Sequence, residues 1–334
     1  MRQIKIGDRL IGEGQPCFVI AEAGINHNGK LHLAKELVTK AAGAGADAVK
    51  FQTFKAESLC SRKSEYFKLF KSLEFGKDEW AQIVKLAQSS GITFLSTAFD
   101  DESANLLNDL GVLAFKIASG DITHLTLLRH IAKKDKPMIL STGVSTIAEI
   151  DEALNSIYSA GGKDVILLHC VSNYPAKTGD VNLRAIALLE QIFNVPVGFS
   201  DHTVGTLIPP IAVSLGAKVI EKHFSLDKNL AGPDHKLSLD PVEFKEMVKN
   251  IRIAEQALGE RGKAPCKSEL QTRDAIRRSI MAKENIWKGT VITRDMLKVV
   301  RPGTGIEPKF IAILVGRTAK EDIQVDEILT WGKV

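Results

Sequence analysis

The chain has 334 residues, with 44 lysines and arginines against 40 aspartates and glutamates, a net charge of +4, 44% hydrophobic and 25% charged residues. That length accommodates one large domain and a small one, and the composition is that of a globular protein rather than a disordered or fibrous one. So slight a positive excess excludes a surface built for nucleic acid, while suiting a small anionic substrate.

The opening MRQIKIGDRL lacks the apolar core of a signal peptide, and no apolar run approaches the roughly 18–20 residues needed to span a bilayer. The four cysteines (Cys17, Cys60, Cys170, Cys266) include no C-x-x-C pair. Cys17 and Cys170 lie at or in apolar runs and read as small buried hydrophobes rather than disulfide partners. The expectation is a cytoplasmic protein with no membrane partner.

In chain order, short apolar runs fall at 17–23 (CFVIAEA), 48–53 (AVKFQT), 93–98 (TFLSTA), 114–119 (AFKIAS), 138–143 (MILSTG), 165–170 (VILLHC), 197–202 (VGFSDH) and 219–224 (VIEKHF). Runs this short and this continuously apolar predict parallel strands buried on both faces. The stretches between them read as amphipathic helices. In LHLAKELVTKAAGAGA, Leu33, Leu37 and Ala41 recur every four residues, and Gly43 and Gly45 supply a stop. Eight such repeats over about 245 residues predict a closed (β/α)8 TIM barrel. An open doubly wound sheet competes, but no G-x-G-x-x-G follows the first strand.

The barrel domain is assigned to 1–260. Residues 261–278 are charged and weakly periodic, and read as a linker with at most a short helix. From 279 to 334, short β-like pieces (SIMA, TVIT, KVVRP, EILTW) broken by Gly and Pro predict a small β-rich domain.

In a barrel of this kind the chemistry sits at the C-terminal ends of the strands. Polar residues fall there in every run: Glu22; Lys50 and Gln52; Ser96 and Thr97; Lys116 and Ser119; Ser141 and Thr142; His169; Ser200, Asp201 and His202; Glu221, Lys222 and His223. Any single one could face outward, but that reading must hold eight times over to remove the site, because a fully buried charge without a partner costs several kcal/mol. Lys50 and Lys116, with hydroxyls from Thr97, Ser119, Ser141 and Ser200, point to an anionic ligand such as a phosphate. His202 and His223 end neighbouring runs and form either an open divalent-metal site or a pair of ordinary hydrogen-bonded histidines.

The strings AEAGINHNG (21–29), VKFQT (49–53), FKIASGD (115–121), ILSTG (139–143), LLHCVSNYP (167–175), FSDHT (199–203), VIEKHF (219–224) and GPDH (232–235) resemble, in order, the sialic acid synthase family. KG at 288–289 and RPGTGI at 301–306 resemble that family's antifreeze-like SAF domain, a β-clip fold. The resemblance implies condensation of phosphoenolpyruvate with an open-chain N-acyl amino sugar, releasing phosphate. It implies a divalent metal, manganese in the first place with magnesium or cobalt as alternatives, held by His202 and His223 and polarising the sugar aldehyde. C3 of phosphoenolpyruvate then attacks C1 of the sugar, water adds at C2, and the tetrahedral intermediate loses phosphate by C–O cleavage.

By the same resemblance Glu22 handles a proton or orients water. Lys50, Thr97, Lys116, Ser119, Ser141, Ser172 and Ser200 match positions at phosphoenolpyruvate, Lys116 being placed with the catalytic group. Gln52, Tyr174 and Asp234 match positions near the acceptor, with Tyr174 also counted as catalytic. Arg301 matches an arginine that reaches across a domain-swapped homodimer to the sugar's N-acyl group. Two departures stand out. Asp121, a catalytic candidate, occupies a position where bacterial members often carry Glu, and Ala98 replaces a common Pro.

The acceptor ranked first is N-acetylmannosamine, giving N-acetylneuraminate. The alternatives are 2,4-diacetamido-2,4,6-trideoxymannose, giving N,N′-diacetyllegionaminate, and an altrose isomer leading to pseudaminate. Outside this reaction class stand a Schiff-base sugar-acid aldolase, for which the VILLHC run lacks a lysine, and a glycan-binding protein built on residues 279–334.

Overall fold

The computed structural model describes residues 3–260 and 262–334; the first two residues of the opening decapeptide and Arg261, where the expected linker begins, lie outside them. The chain divides into two compact units, Met1–Gly259 and Glu260–Val334.

The first unit begins with an antiparallel hairpin of β1 (Ile4–Ile6) and β2 (Arg9–Ile11), in which Ile4 faces Ile11. Eight parallel strands follow: β3 (Phe18–Gly24), β4 (Ala48–Thr53), β5 (Thr93–Ala98), β6 (Phe115–Ile117), β7 (Met138–Ser141), β8 (Val165–Cys170), β9 (Val197–Asp201) and β10 (Val219–His223). They close on themselves, with β10 hydrogen-bonded to both β3 and β9. The predicted barrel is the observed one.

Between the strands lie α1 (Leu31–Gly43), α2 (Ala56–Leu59), α3 (Phe67–Leu73), α4 (Lys77–Ser89), α5 (Asp101–Asp109), α6 (Leu125–Ala132), α7 (Ile147–Ser159), α8 (Ala185–Phe193) and α9 (Ile208–Ser214); α10 (Pro241–Leu258) follows the last strand. Their starts follow from local chemistry. Thr146 and Glu149 exchange capping hydrogen bonds at α7, and Asp240 and Glu243 do so at α10, where Pro241 opens the first turn. No helix among the described residues is long and apolar enough to cross a membrane.

Two apolar layers flank each strand, which is why the strands read as unbroken hydrophobic runs. Val19, Val49, Phe115, Val197, Phe199 and Ile220 belong to the layer under the helices. Ile20, Ala48, Leu95, Ile139, Ile166 and Val219 fill the barrel interior together with Ile4, Ile6 and Ile11 of the hairpin. The hairpin therefore caps the N-terminal mouth and leaves the opposite mouth for the site.

In the second unit, part of the stretch read as a linker folds as α11 (Lys267–Ile276). Strands β11 (Ser279–Ala282) and β12 (Leu297–Val300) pair antiparallel, and α12 (Ile311–Leu314) follows. Ile280, Ile286, Ile292, Leu297, Ile306, Leu314, Ile323 and Leu329 form its own core.

Candidate active site

A cavity of about 270 Å³ opens at the C-terminal ends of the barrel strands. Glu22, Lys50, Gln52, Thr97, Lys116, Ser119, Ser141, Ser172, Tyr174, Ser200, His202 and His223 all line it. Asp234 reaches its edge, with Oδ2 3.9 Å from His223 Nδ1. Asp121 is half-buried in a short 3-10 turn, Ser119–Asp121, and is not among the lining residues. Arg301 is exposed in the second unit. A wider cleft of about 430 Å³ near the opposite mouth includes Arg9 and Asp47, which are already paired with each other at 2.9 Å.

Strand parity decides which polar residues face inward. Successive side chains alternate across a strand, so Lys50 and Gln52, Ser200 and His202, and Glu221 and His223 enter the cavity together. Ser96, by contrast, bonds Thr53 Oγ1 at 2.7 Å, and His169 bonds the Val181 carbonyl at 2.6 Å and stacks on Phe199. For these the outward reading holds. Glu221, for which sequence reasoning named no role, is a full member of the cavity.

Two ammoniums and two carboxylates meet on the cavity floor, all nearly inaccessible to solvent. Lys50 Nζ lies 2.6 Å from Glu22 Oε2 and 3.7 Å from Glu221 Oε2, and donates to Thr97 Oγ1 at 3.2 Å. Lys116 Nζ lies 3.7 Å from Glu221 Oε1 and donates to Ser141 Oγ at 2.7 Å. Ser200 Oγ donates to Glu221 Oε1 at 3.1 Å.

These environments drive the two carboxyls apart. Burial raises Glu22 to about 7, with Lys50 opposing and Glu221 adding to the rise. Burial also acts on Glu221, but Lys116 and Lys50 outweigh it and hold its pKa below the usual range. Burial lowers Lys116 despite Glu221, whereas at Lys50 the two carboxylates overcome burial and raise it. A carboxyl poised near neutrality beside one kept ionised is an acid/base arrangement. Asp121, shielded from water, is raised to about 6.

Beside the lysines a narrow cradle forms around Gly143. Its N–H donates to Ser119 Oγ at 3.0 Å, and a Cβ there would lie 2.1 Å from Ser172 Oγ and 2.8 Å from Ser119 Oγ. Only glycine leaves those hydroxyls in place. At the first strand, Gly24 takes φ +51° at a break in register after Glu22, and its position lies beside Gln52 and Asp234. Asn26 Nδ2 donates to Ser238 Oγ, which donates to the Asp234 carbonyl at 2.6 Å, so the first loop helps hold the loop carrying Asp234.

The rings of His202 and His223 have centroids 5.3 Å apart, and the Tyr174 ring lies 4.1 Å from that of His202. His202 Nδ1 is 2.9 Å from the Val171 carbonyl and must donate to it, which leaves Nε2 as the free lone pair. His223 Nδ1 is buried without a hydrogen-bond partner, and burial, with His202 and Lys50 adding to it, keeps its pKa well below the usual histidine value. Two imidazoles side by side, one oriented by a backbone carbonyl and one with an orphaned nitrogen, fit a divalent metal. Among the described residues no group of three His, Cys, Asp or Glu gathers as a ligand set, so the other positions would fall to water or substrate oxygen.

The profile of the NeuB family matches residues 37–263, spanning most of the barrel. The chain belongs to the NeuB family. It is thus an enzyme of the sialic acid synthase family, a transferase that forms carbon–carbon bonds, and the SAF domain profile matches residues 277–334 of the second unit. The chain is similar to the N,N′-diacetyllegionaminic acid synthase of Legionella pneumophila, 45% identical over 96% of this chain and 95% of that one. It is also similar to the human N-acetylneuraminate-9-phosphate synthase, 35% identical over 96% of this chain and 93% of that one. Among solved structures, the N-acetylneuraminic acid synthetase of Leptospira borgpetersenii, in complex with citrate, superposes with a TM-score of 0.78 at 38% identity, covering 82% of this NeuB-family chain and 97% of the other.

Proposed function

We propose that this chain condenses phosphoenolpyruvate with an open-chain N-acyl amino sugar, giving a nine-carbon 2-keto acid and phosphate. The observation that carries this reading is the paired arrangement of one cavity: a two-lysine, hydroxyl-lined cradle beside two adjoining histidine rings. Lys50, Lys116, Thr97, Ser119, Ser141, Ser172 and Ser200 hold the phosphate and carboxylate of phosphoenolpyruvate, each charge-assisted hydrogen bond contributing about 1.5–3 kcal/mol. Gln52, Tyr174 and Asp234 orient the acceptor. His202 and His223 hold a divalent cation, manganese in preference to magnesium or cobalt, which when bound withdraws charge from the sugar aldehyde.

Carbon–carbon bond formation leaves positive charge at C2 of the former phosphoenolpyruvate. Glu22, with a pKa near 7, takes the proton of the water that adds there. Glu221 stays ionised and balances the lysines. Arg301, from the SAF domain, contacts the N-acyl group of an acceptor bound in the other subunit of a domain-swapped homodimer.

Filling the cradle tests the phosphate end. In Gly143→Ala the new methyl displaces the Ser172 and Ser119 hydroxyls, which are movable side-chain ends, so the fold is retained. The KM for phosphoenolpyruvate is expected to rise more than about tenfold, as the loss of one good hydrogen bond to an anion implies, with the acceptor KM little changed. Steady-state kinetics with each substrate varied in turn checks this.

N-acetylmannosamine ranks first as acceptor on the sequence motifs. The 45% identity to an N,N′-diacetyllegionaminic acid synthase, against 35% to an N-acetylneuraminate-9-phosphate synthase, favours 2,4-diacetamido-2,4,6-trideoxymannose instead, and we adopt that order. Mass spectrometry of products from each sugar, with the altrose isomer as a third arm, tests it. The expected result is the highest kcat/KM for the diacetamido mannose sugar; a higher value for N-acetylmannosamine restores the first ranking, and turnover of none removes the synthase reading.

A further inference from the structure

Two charged side chains behind the cavity take no part in the chemistry above. Along β9 and β10, Ser200, His202, Glu221 and His223 line the cavity, whereas Val197, Phe199, Ile220 and Phe224 belong to the apolar layer under the helices. Asp201 and Lys222 share the parity of that second set. Their side chains are 0% exposed, and Lys222 Nζ lies 2.6 Å from Asp201 Oδ2. The two residues are direct partners in the strand ladder.

The contacts of this pair converge on one short piece of backbone. Lys222 Nζ also donates to the Thr203 carbonyl, and Asp201 Oδ1 accepts the Thr203 N–H at 2.9 Å. The chain on both sides of His202 is thus tied, from outside the barrel, to a lysine that stands between Glu221 and His223. β9 ends at Asp201, so the ladder itself does not reach His202. On the cavity side, the bond from His202 Nδ1 to the Val171 carbonyl fixes the ring, and the His202 carbonyl accepts the Ala176 N–H at 2.9 Å, so the pair completes the hold on this turn from the other side.

Stability alone gives little reason for such a pair. Removing two ions from water is costly, and a well-packed apolar pair of the same shape often stabilises a fold as much or more. What an apolar pair lacks is directed hydrogen bonds to the residue after His202. We propose that Lys222 and Asp201 are positioning residues, holding the 201–203 turn so that the His202 and His223 imidazoles meet one metal ion. This rests on the two-histidine metal site proposed above.

The test is the double variant Lys222→Met/Asp201→Asn, which removes both buried charges and keeps an acceptor for the Thr203 N–H. Binding of Mn2+ is read from the electron paramagnetic resonance signal of the free ion, alongside a thermal melt and separate KM values. The expected result is a cooperative melt, a Kd for Mn2+ weakened by about 10–100-fold, as loss of an orienting outer partner produces, a raised acceptor KM and a KM for phosphoenolpyruvate within about twofold of wild type. A folded double variant that binds Mn2+ as wild type does overturns the proposal. Loss of the cooperative melt assigns the pair to folding and overturns it equally. Absence of Mn2+ binding by the wild-type protein, seen before any variant is made, removes the metal site and the proposal with it.

Discussion

His223→Ala is expected to abolish Mn2+ binding and to lower kcat/KM by at least about a thousandfold, while the barrel still folds. A thousandfold corresponds to about 4 kcal/mol of transition-state stabilisation, the scale of a Lewis acid on a carbonyl oxygen. The structural cost is small, because His223 Nδ1 has no hydrogen-bond partner to lose and its ring makes an edge contact with Tyr174 and a tilted one with His202. His202→Ala should act alike on the metal, but it also strips a donor from the Val171 carbonyl. The two histidines differ in their response to acid. At His202, Cys170 and the Val171 carbonyl outweigh burial and raise the pKa, whereas that of His223 lies far below the usual value. On acidification His202 is therefore the first of the two to take up a proton, and metal affinity should fall as pH drops through the histidine range. Metal titration and steady-state kinetics of each variant check this, and Mn2+-dependent turnover surviving in both contradicts the assignment.

The second large effect is expected at Glu22. Glu22→Gln should lower kcat by about 10²–10⁴, the range for loss of a general base, and should remove the acid limb of the kcat/KM profile. Burial raises Glu22 to about 7 in the free enzyme, so below that pH it is protonated and cannot take a proton from water. Activity of the wild type, with Mn2+ kept saturating at every pH, should therefore fall on acidification through about pH 7 and level off above it. The substitution leaves Lys50 paired with Glu221 and Thr97, so phosphoenolpyruvate binding should change far less than turnover. An unaltered rate and profile in the Glu22→Gln variant would assign the proton to another group.

The barrel was legible because its strands are buried on both faces and so appear as continuous apolar runs of the right length. Where a run overreached, chemistry explains it: the stretch 114–119 yields a three-residue strand, since Ser119 turns into the 3-10 segment that lets its hydroxyl meet the Gly143 N–H. The β1–β2 hairpin leaves no signal in the sequence, because three-residue strands carry no periodicity and Leu10 is partly exposed. The burial that reveals a strand also hides its facing. Lys222 and Glu221 look alike in the string VIEKHF, and only the register fixed by His223 sends one to the cavity and the other to Asp201. That register was the available signal for Glu221. Asp234 lies in a loop, where no pattern points inward; the family motif found it, and the bonds from Asn26 through Ser238 account for its place.

The most direct test of the account is a single incubation of the wild-type protein with phosphoenolpyruvate, the diacetamido sugar and Mn2+, following phosphate and the nine-carbon acid together. The expected result is one phosphate released for each keto acid formed, only when all three components are present, and no lysine adduct on borohydride treatment. Keto acid formed in the presence of a chelator, with a borohydride-trapped lysine, would contradict it and place the enzyme among the Schiff-base aldolases.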